Sequence, residues 1–171
     1  MSNGTSVKKR NGSIEPLNLE KIHRMVEEAC EGLAGVSASQ VEIQSGIQFY
    51  DGISTAEIQE ILIRSASDLI TLDNPNYQYV ASRLLLFAVR KSLYGRLREL
   101  PTLEEHIVSC VSQEVYDPDI YNKYSLEEIR KADGFLDHGR DFLFTYAGLR
   151  QVVDKYLCLL YTSPSPRDAT L

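Results

Sequence analysis

The sequence predicts an α+β fold, predominantly α, in which a small β-hairpin or three-stranded lid lies over a four-helix bundle and a further helical segment follows. Three observations carry that prediction. Asn11-Gly12 separates two short strand-like runs, and both residue types tolerate the positive φ angles of a tight hairpin turn. Behind Asn18, apolar residues recur at steps of three and four, the period of a helix with one buried face. Start and stop signals then follow at Gly32, Gly35, Ser54, Asn74-Pro75 and Gly95, cutting the first 95 residues into helix lengths.

Taken in order, Ser6 to Arg10 and Ser13 to Leu17 form the arms of the hairpin, and Pro16, which has no N–H, confines the second arm to a sheet edge. Asn18 caps the first helix, whose inward face is Leu19, Ile22, Met25, Val26, Ala29, Cys30 and Leu33. A second helix starts from Ser37 or Ser39, carries Val41, Ile43, Ile47 and Phe49 as its apolar residues and stops near Tyr50-Asp51-Gly52. Ile53, after that turn, supplies a third short strand beside the hairpin. Ser54 and Glu57 have capping-box spacing, so a third helix starts there with Ile58, Ile61, Leu62, Ala66, Leu69 and Ile70 inward. A fourth runs from Asn74-Pro75 to Tyr94-Gly95, with Tyr77, Ala81, Leu84 and Ala88 on one face.

Residues 96–101 form a joint ending at Pro101. Beyond it Leu103, Ile107, Val108 and Val111 predict another helix, Tyr116-Asp117-Pro118-Asp119 breaks it, and Ser125 with Glu128 repeats the capping-box spacing. Phe142 through Tyr146 to Val153 is helix or buried strand. From Cys158 to Leu171 the character changes: Thr162-Ser163-Pro164-Ser165-Pro166-Arg167 has turn chemistry and no apolar period. This tail is either disordered or translated adapter read-through.

Composition narrows the function. The chain has 171 residues, with 18 Lys and Arg against 24 Asp and Glu, a net charge of -6 that disfavours nucleic acid and anionic membrane as partners. Its longest apolar run, Leu84 to Val89, is far shorter than a membrane span. Cys30, Cys110 and Cys158 form no CxxC pair, which excludes zinc ribbons and disulfide scaffolds and fits a reducing, cytoplasmic setting. The first 24 residues carry five cations against Glu15 and Glu20, so a cationic island sits on an acidic protein. That distribution suits a small polyanion better than a long one.

No GxSxG, HExxH or GxxxxGK[ST] motif occurs, and His23, His106 and His138 are not at metal-ligand spacing. Neither a catalytic residue nor a metal ligand is assigned. Val7-Lys8-Lys9-Arg10 lies at the hairpin turn, Glu15 and Asn18 follow at the strand-to-helix junction, and Lys21 is one helical turn further. Such a set can offer a carboxylate and an amide to a base edge and cations to phosphates. Charge alone reads it as a solvated turn. Thr55 can donate at a helix N-terminus, and Lys91 follows Phe87 by one turn. Taken singly, these three residues read as a cap, solvated charge and core.

The string Val7-Lys8-Lys9-Arg10-Asn11-Gly12-Ser13-Ile14-Glu15, followed by Leu17-Asn18-Leu19-Glu20-Lys21-Ile22, resembles the opening of the ATP-cone, a nucleotide-sensing domain. Ile53-Ser54-Thr55-Ala56-Glu57-Ile58 and Tyr77-Gln78-Tyr79-Val80-Ala81-Ser82-Arg83-Leu84 resemble its later segments. Further on, Tyr124-Ser125-Leu126-Glu127-Glu128, Asp137-His138-Gly139-Arg140-Asp141 and Phe144-Thr145-Tyr146 resemble the large (alpha) subunit of class Ia ribonucleoside-diphosphate reductase.

The resemblance implies an ATP-cone regulatory domain over residues 1–95, the start of the large subunit's helical N-terminal domain over 96–157, and a tail outside the family over 158–171. The chain would then be an N-terminal piece ahead of a catalytic barrel, inactive alone because the barrel holds the catalytic cysteines. By the same resemblance Glu15 and the backbone around Asn18 read adenine, while Ile22 and Phe87 form an apolar wall. Val7 belongs to the same pocket. Lys9, Arg10, Lys21, Thr55 and Lys91 hold the triphosphate of ATP or dATP, with Mg²⁺ bridging phosphate oxygens. Gln59 stands where relatives often carry histidine beside the sugar and phosphates.

The implied partners are a radical-supplying small (beta) subunit and further large subunits, in a homodimer or higher oligomer. The alternative within the family is an ATP-cone scaffold or regulator that binds a partner protein without reductase activity. An ATP-cone transcriptional repressor would need two CxxC pairs ahead of the cone, and only six residues precede Val7.

Overall fold

The structure, a computed structural model, describes residues 5–9, 12–46 and 49–157. Arg10, Asn11, Ile47 and the stretch from Cys158 to Leu171 lie outside them, and with them the expectations placed there. The described residues are predominantly helical with one three-stranded sheet. They divide into two compact units, the residues up to Ala88 together with those from Phe142 onward, and Val89–Asp141.

In the first unit, β1 (Ser6–Lys8) pairs antiparallel with β2 (Ile14–Pro16), with Val7 opposite Glu15. Lys9 N–H donates to the Ser13 carbonyl at 2.8 Å and Gly12 N–H to the Lys9 carbonyl at 2.9 Å, closing the turn where Gly12 takes φ +85°. A side chain with a Cβ rarely adopts that angle. On its other side β1 pairs parallel with β3 (Ile53–Ser54), Val7 opposite Ile53 and Lys8 opposite Ser54. Pro16 therefore sits in an edge strand, as its missing N–H requires. Val7 and Ile53 are both buried, so the middle of the sheet is anchored in the core.

α1 (Leu19–Cys30) starts at Asn18, whose side chain accepts from Lys21 N–H at 3.0 Å, and buries Ile22, Val26 and Ala29. Leu19, expected inward, is 64% exposed because it opens the helix before the buried face is established. α2 (Ala38–Gly46) buries Val41 and leaves Ile43 70% exposed. α3 (Thr55–Asp68) begins with the predicted capping box: Glu57 N–H donates to Ser54 Oγ at 3.1 Å, and Ser54 N–H donates to Glu57 Oε2 at 2.9 Å. Its buried face is Ile58, Gln59, Leu62, Ile63, Ser65 and Ala66, rotated from the expected one, and Ile70 lies outside the helix and exposed.

α4 (Tyr77–Tyr94) starts two residues after Pro75 and, at 18 residues, is the longest helix among the described residues. Val80, Ala81, Leu84, Leu85, Leu86 and Phe87 are all buried, so the expected single face is instead a nearly complete girdle, with Ala88 only half-buried. A helix apolar on most sides is stable only where neighbours cover it on most sides. Arg83 donates to the Ala29 carbonyl at 3.2 Å and to the Glu31 carbonyl at 2.6 Å, placing a cation on the open carbonyls that end α1. α8 (Tyr146–Val152), followed by a π-helical turn (Val153–Leu157), completes this unit, with Arg150 3.8 Å from Glu60 of α3.

In the second unit, α5 (Leu103–Ser112) carries a capping box from Thr102 and Glu105 that the sequence reading passed over. Ile107 is its buried residue and Val108 is half exposed. A short α6 (Ile120–Lys123) and α7 (Leu126–Asp133) follow, the latter with the predicted Ser125–Glu128 capping box. α5 and α7 are joined by Arg130 donating twice to Glu104, at 2.6 and 3.1 Å, and by Leu103 N–H donating to Asp133 at 2.7 Å. A 3-10 helix spans His138–Leu143, its last two residues belonging to the first unit.

Candidate functional site

The expected ligand residues described in the first unit fall on or beside β1, β2, α1, α3 and α4. Val7 is buried at the centre of β1, and Lys9 follows that strand directly. Its ammonium lies 3.1 Å from the Glu15 carboxylate, so two residues expected to touch opposite ends of one ligand are paired across the hairpin. Both side chains are partly exposed, which makes this a weak and exchangeable contact.

Asn18 uses its carbonyl oxygen to cap α1, where Lys21 is exposed in the first turn and Ile22 points into the core. Thr55 opens α3, half-buried, directly after the Ser54 cap. The Glu57 carboxylate already occupies one backbone donor of that helix start and also accepts from the Tyr50 hydroxyl at 3.0 Å. These donors hold the Glu57 carboxyl below its ordinary pKa, the Ser54 hydroxyl contributing most.

Gln59, one turn further along α3, is buried with its amide nitrogen 4.0 Å from the Met25 sulfur of α1. Phe87 is buried on α4, where its ring meets Phe142 edge-on at 6.2 Å. Lys91 lies one turn beyond Phe87 along α4 and belongs to the second unit. The sheet thus links the segments that carry Val7, Lys9, Glu15 and Thr55, and the contact of Gln59 with Met25 brings α3 against α1.

Two groups escaped the sequence reading. Asp51, read only as a turn residue, accepts from both the N–H and the hydroxyl of Ser6, each at 2.7 Å, and its carboxyl is held below its ordinary pKa by those bonds. His23 bridges α1 and α2, with Nδ1 2.8 Å from Glu42 and Nε2 3.1 Å from Glu27, and its pKa is raised chiefly by the Glu42 hydrogen bond. It lines a groove of about 680 Å³ with Leu17, Leu19, Ile22, Glu42 and Ile43. Among the described residues, Ile22 is the one expected ligand residue on that groove. Asp51 and Ser6 are 45 residues apart, so no local pattern could have paired them.

Comparison with known proteins shows the family. The ATP cone domain model matches residues 5–92, a span that holds every expected ligand residue. The chain belongs to the ATP-cone family. An ATP-cone binds a nucleotide effector, and here its hairpin, α1, α3 and α4 are the elements just described. Over 157 residues the chain is 48% identical to ribonucleoside-diphosphate reductase 1 subunit alpha of Escherichia coli (strain K12), covering 92% of this chain and 20% of that relative. It is 47% identical to the subunit alpha of Haemophilus influenzae, covering 92% of this chain and 21% of the relative. The corresponding protein of Enterobacteria phage T4 is 39% identical over 154 residues, covering 89% and 20%. The chain spans about a fifth of the length of these relatives.

Proposed function

We propose that residues 1–95 are an allosteric ATP- or dATP-sensing domain of a ribonucleotide reductase large subunit, and that residues 96–157 begin the helical region between that domain and a catalytic barrel. The observation that carries the reading is the convergence at the sheet. Val7 and Ile53 share a register pair and Lys8 and Ser54 the next, so Lys9 and Thr55 are the residues that follow the last pair on β1 and β3. A cation and a hydroxyl at the start of a helix are complementary to phosphate oxygens.

In this reading Lys9, Arg10, Lys21 and Thr55 bind the triphosphate, joined by Lys91 on the strength of the family resemblance. Glu15 and the backbone around Asn18 accept and donate at the adenine edge, Val7, Ile22 and Phe87 supply apolar walls, and Gln59 faces the sugar. Glu15 is released from Lys9 as the phosphates take its place. Mg²⁺ enters on the phosphate oxygens of the nucleotide and on water, the coordination this small hard cation favours. The ion neutralises phosphate charge; the protein orients the nucleotide.

For the longer protein the reading extends to reduction of ribonucleoside diphosphates in the cytoplasm, with a radical supplied by a small subunit and with large subunits assembling as dimers or higher oligomers. Nucleotide-controlled assembly requires that ATP and dATP bind two assembly states with different affinities. Among the described residues no helix is long and apolar enough to cross a membrane.

Calorimetric titration of the full chain with ATP and with dATP, each with Mg²⁺, tests the assignment. Binding of both, weakening as salt is raised, is the expected result. A folded sample that binds neither overturns it.

A further inference from the structure

The turn before β3 braces the hairpin against α3 from two sides. On one side Ser6, the first residue of β1, gives Asp51 Oδ1 two hydrogen bonds of 2.7 Å, from its N–H and its hydroxyl, and its carbonyl accepts from Gly52 N–H at 3.0 Å. Gly52 takes φ +81°, which presents its N–H to Ser6 in a backbone conformation that side chains resist. On the other side Tyr50 donates its hydroxyl to Glu57 Oε1, and Glu57 is locked to Ser54 by the capping box. Asp51 thus ties β1 to a turn that Tyr50 ties to α3.

The brace matters because the direct pairing between these elements is small. β1 and β3 share two register pairs, and β2 is exposed at every position. A one-residue slip of β1 would reverse which side chains face the core. With the register held, Lys9 and Thr55 each follow directly on the last pair, Lys8 with Ser54.

We propose that Asp51 is a positioning residue which, through Ser6, holds the hairpin in register against the first turn of α3 so that Lys9 and Thr55 reach the same phosphate group of a bound nucleotide. This rests on the nucleotide-binding reading above and adds to it a residue that touches no ligand. Both carboxylates of the brace are held ionised by their donors, so it persists throughout the neutral range.

The test uses the full chain and the variants Asp51→Ala, Asp51→Asn and Ser6→Ala, titrated with ATP and Mg²⁺ well below each melting temperature, with amide exchange followed in parallel. Asp51→Ala should weaken ATP about tenfold, the loss expected when charge-assisted bonds are removed, and should flatten the salt dependence because Lys9 no longer meets the phosphates. Asp51→Asn keeps an acceptor oxygen and should restore most of the affinity. Amides of β1 should exchange at least about tenfold faster in Asp51→Ala while those of α1 and the middle of α3 are unchanged. Should Asp51→Ala fail to fold, Ser6→Ala, which removes only the hydroxyl donor, should still weaken ATP by about threefold. If the unmodified chain does not bind ATP, the nucleotide reading falls and this inference with it. If it binds, and the folded variants bind as tightly with the same salt dependence, Asp51 has no positioning role and the nucleotide reading stands.

Discussion

Lys9 is the residue on which the nucleotide reading can be weighed most directly, because the structure shows what it would have to give up. Its ammonium lies 3.1 Å from Glu15, with the two side chains 32% and 52% exposed. A pair this open is worth about 0–1 kcal/mol, since water and salt screen it and two long side chains lose freedom in forming it. A charge-assisted hydrogen bond to a phosphate oxygen is worth about 1.5–3 kcal/mol. The exchange of Glu15 for phosphate therefore favours the ligand by about 1–2 kcal/mol, and Lys9→Ala should weaken ATP and dATP alike by roughly five- to thirtyfold. Glu15→Gln removes the competing charge but keeps a carbonyl oxygen for the adenine edge. It should leave affinity unchanged or tighten it by up to about fivefold. Isothermal titration at two salt concentrations measures both variants. Undiminished affinity in Lys9→Ala, or a Glu15→Gln loss as large as that of Lys9→Ala, would refute the exchange.

Three further outcomes follow from the same geometry. Leu62→Ala empties a fully buried site on α3 and should cost about 2–5 kcal/mol in urea unfolding; a loss below about 1 kcal/mol would mean that α3 is not packed as described. His23 between Glu27 and Glu42 has a raised pKa, so its stabilising charge is fully present below the ordinary histidine value and is lost as pH rises through the raised one. His23→Gln should consequently destabilise the protein more at about pH 5.5 than at about pH 8.5, with equal losses at both counting against the bridge. Gln59→His should change the ratio of dATP to ATP affinity, whereas Lys21→Ala should weaken both by a similar factor; an unaltered ratio in a natively folded Gln59→His would show that this position does not read the sugar.

The features legible in the sequence are those whose partners lie a few residues apart. The hairpin turn at Gly12, the Asn18 cap and the capping boxes at Ser54 and Ser125 all close within one turn of chain, so residue type and spacing sufficed. The Thr102–Glu105 box is equally local, with the same three-residue spacing, and is legible in the sequence by the same rule. Helix faces were legible in part: Ile22, Val26, Ala29, Leu62 and Ala66 are buried as the period implied. The candidate ligand residues rest on the order of residue types that resembles the ATP-cone, and the family match spans residues 5–92.

What the sequence by itself determined, then, is the series of elements, where each starts, and the cationic and polar residues concentrated at the hairpin and the helix starts. Tertiary structure alone decided that β3 joins β1 in parallel, that α4 is covered on nearly all sides, and that Gln59 and Ile63 turn inward while Ile43 turns out. It also decided that Ser6 meets Asp51, and that Arg83 caps α1 from across the core. The physical reason is the range of the information. Turn and cap energies depend on neighbours within about four residues, whereas burial and strand register depend on which distant surfaces come together, and a single periodic pattern is compatible with several such packings.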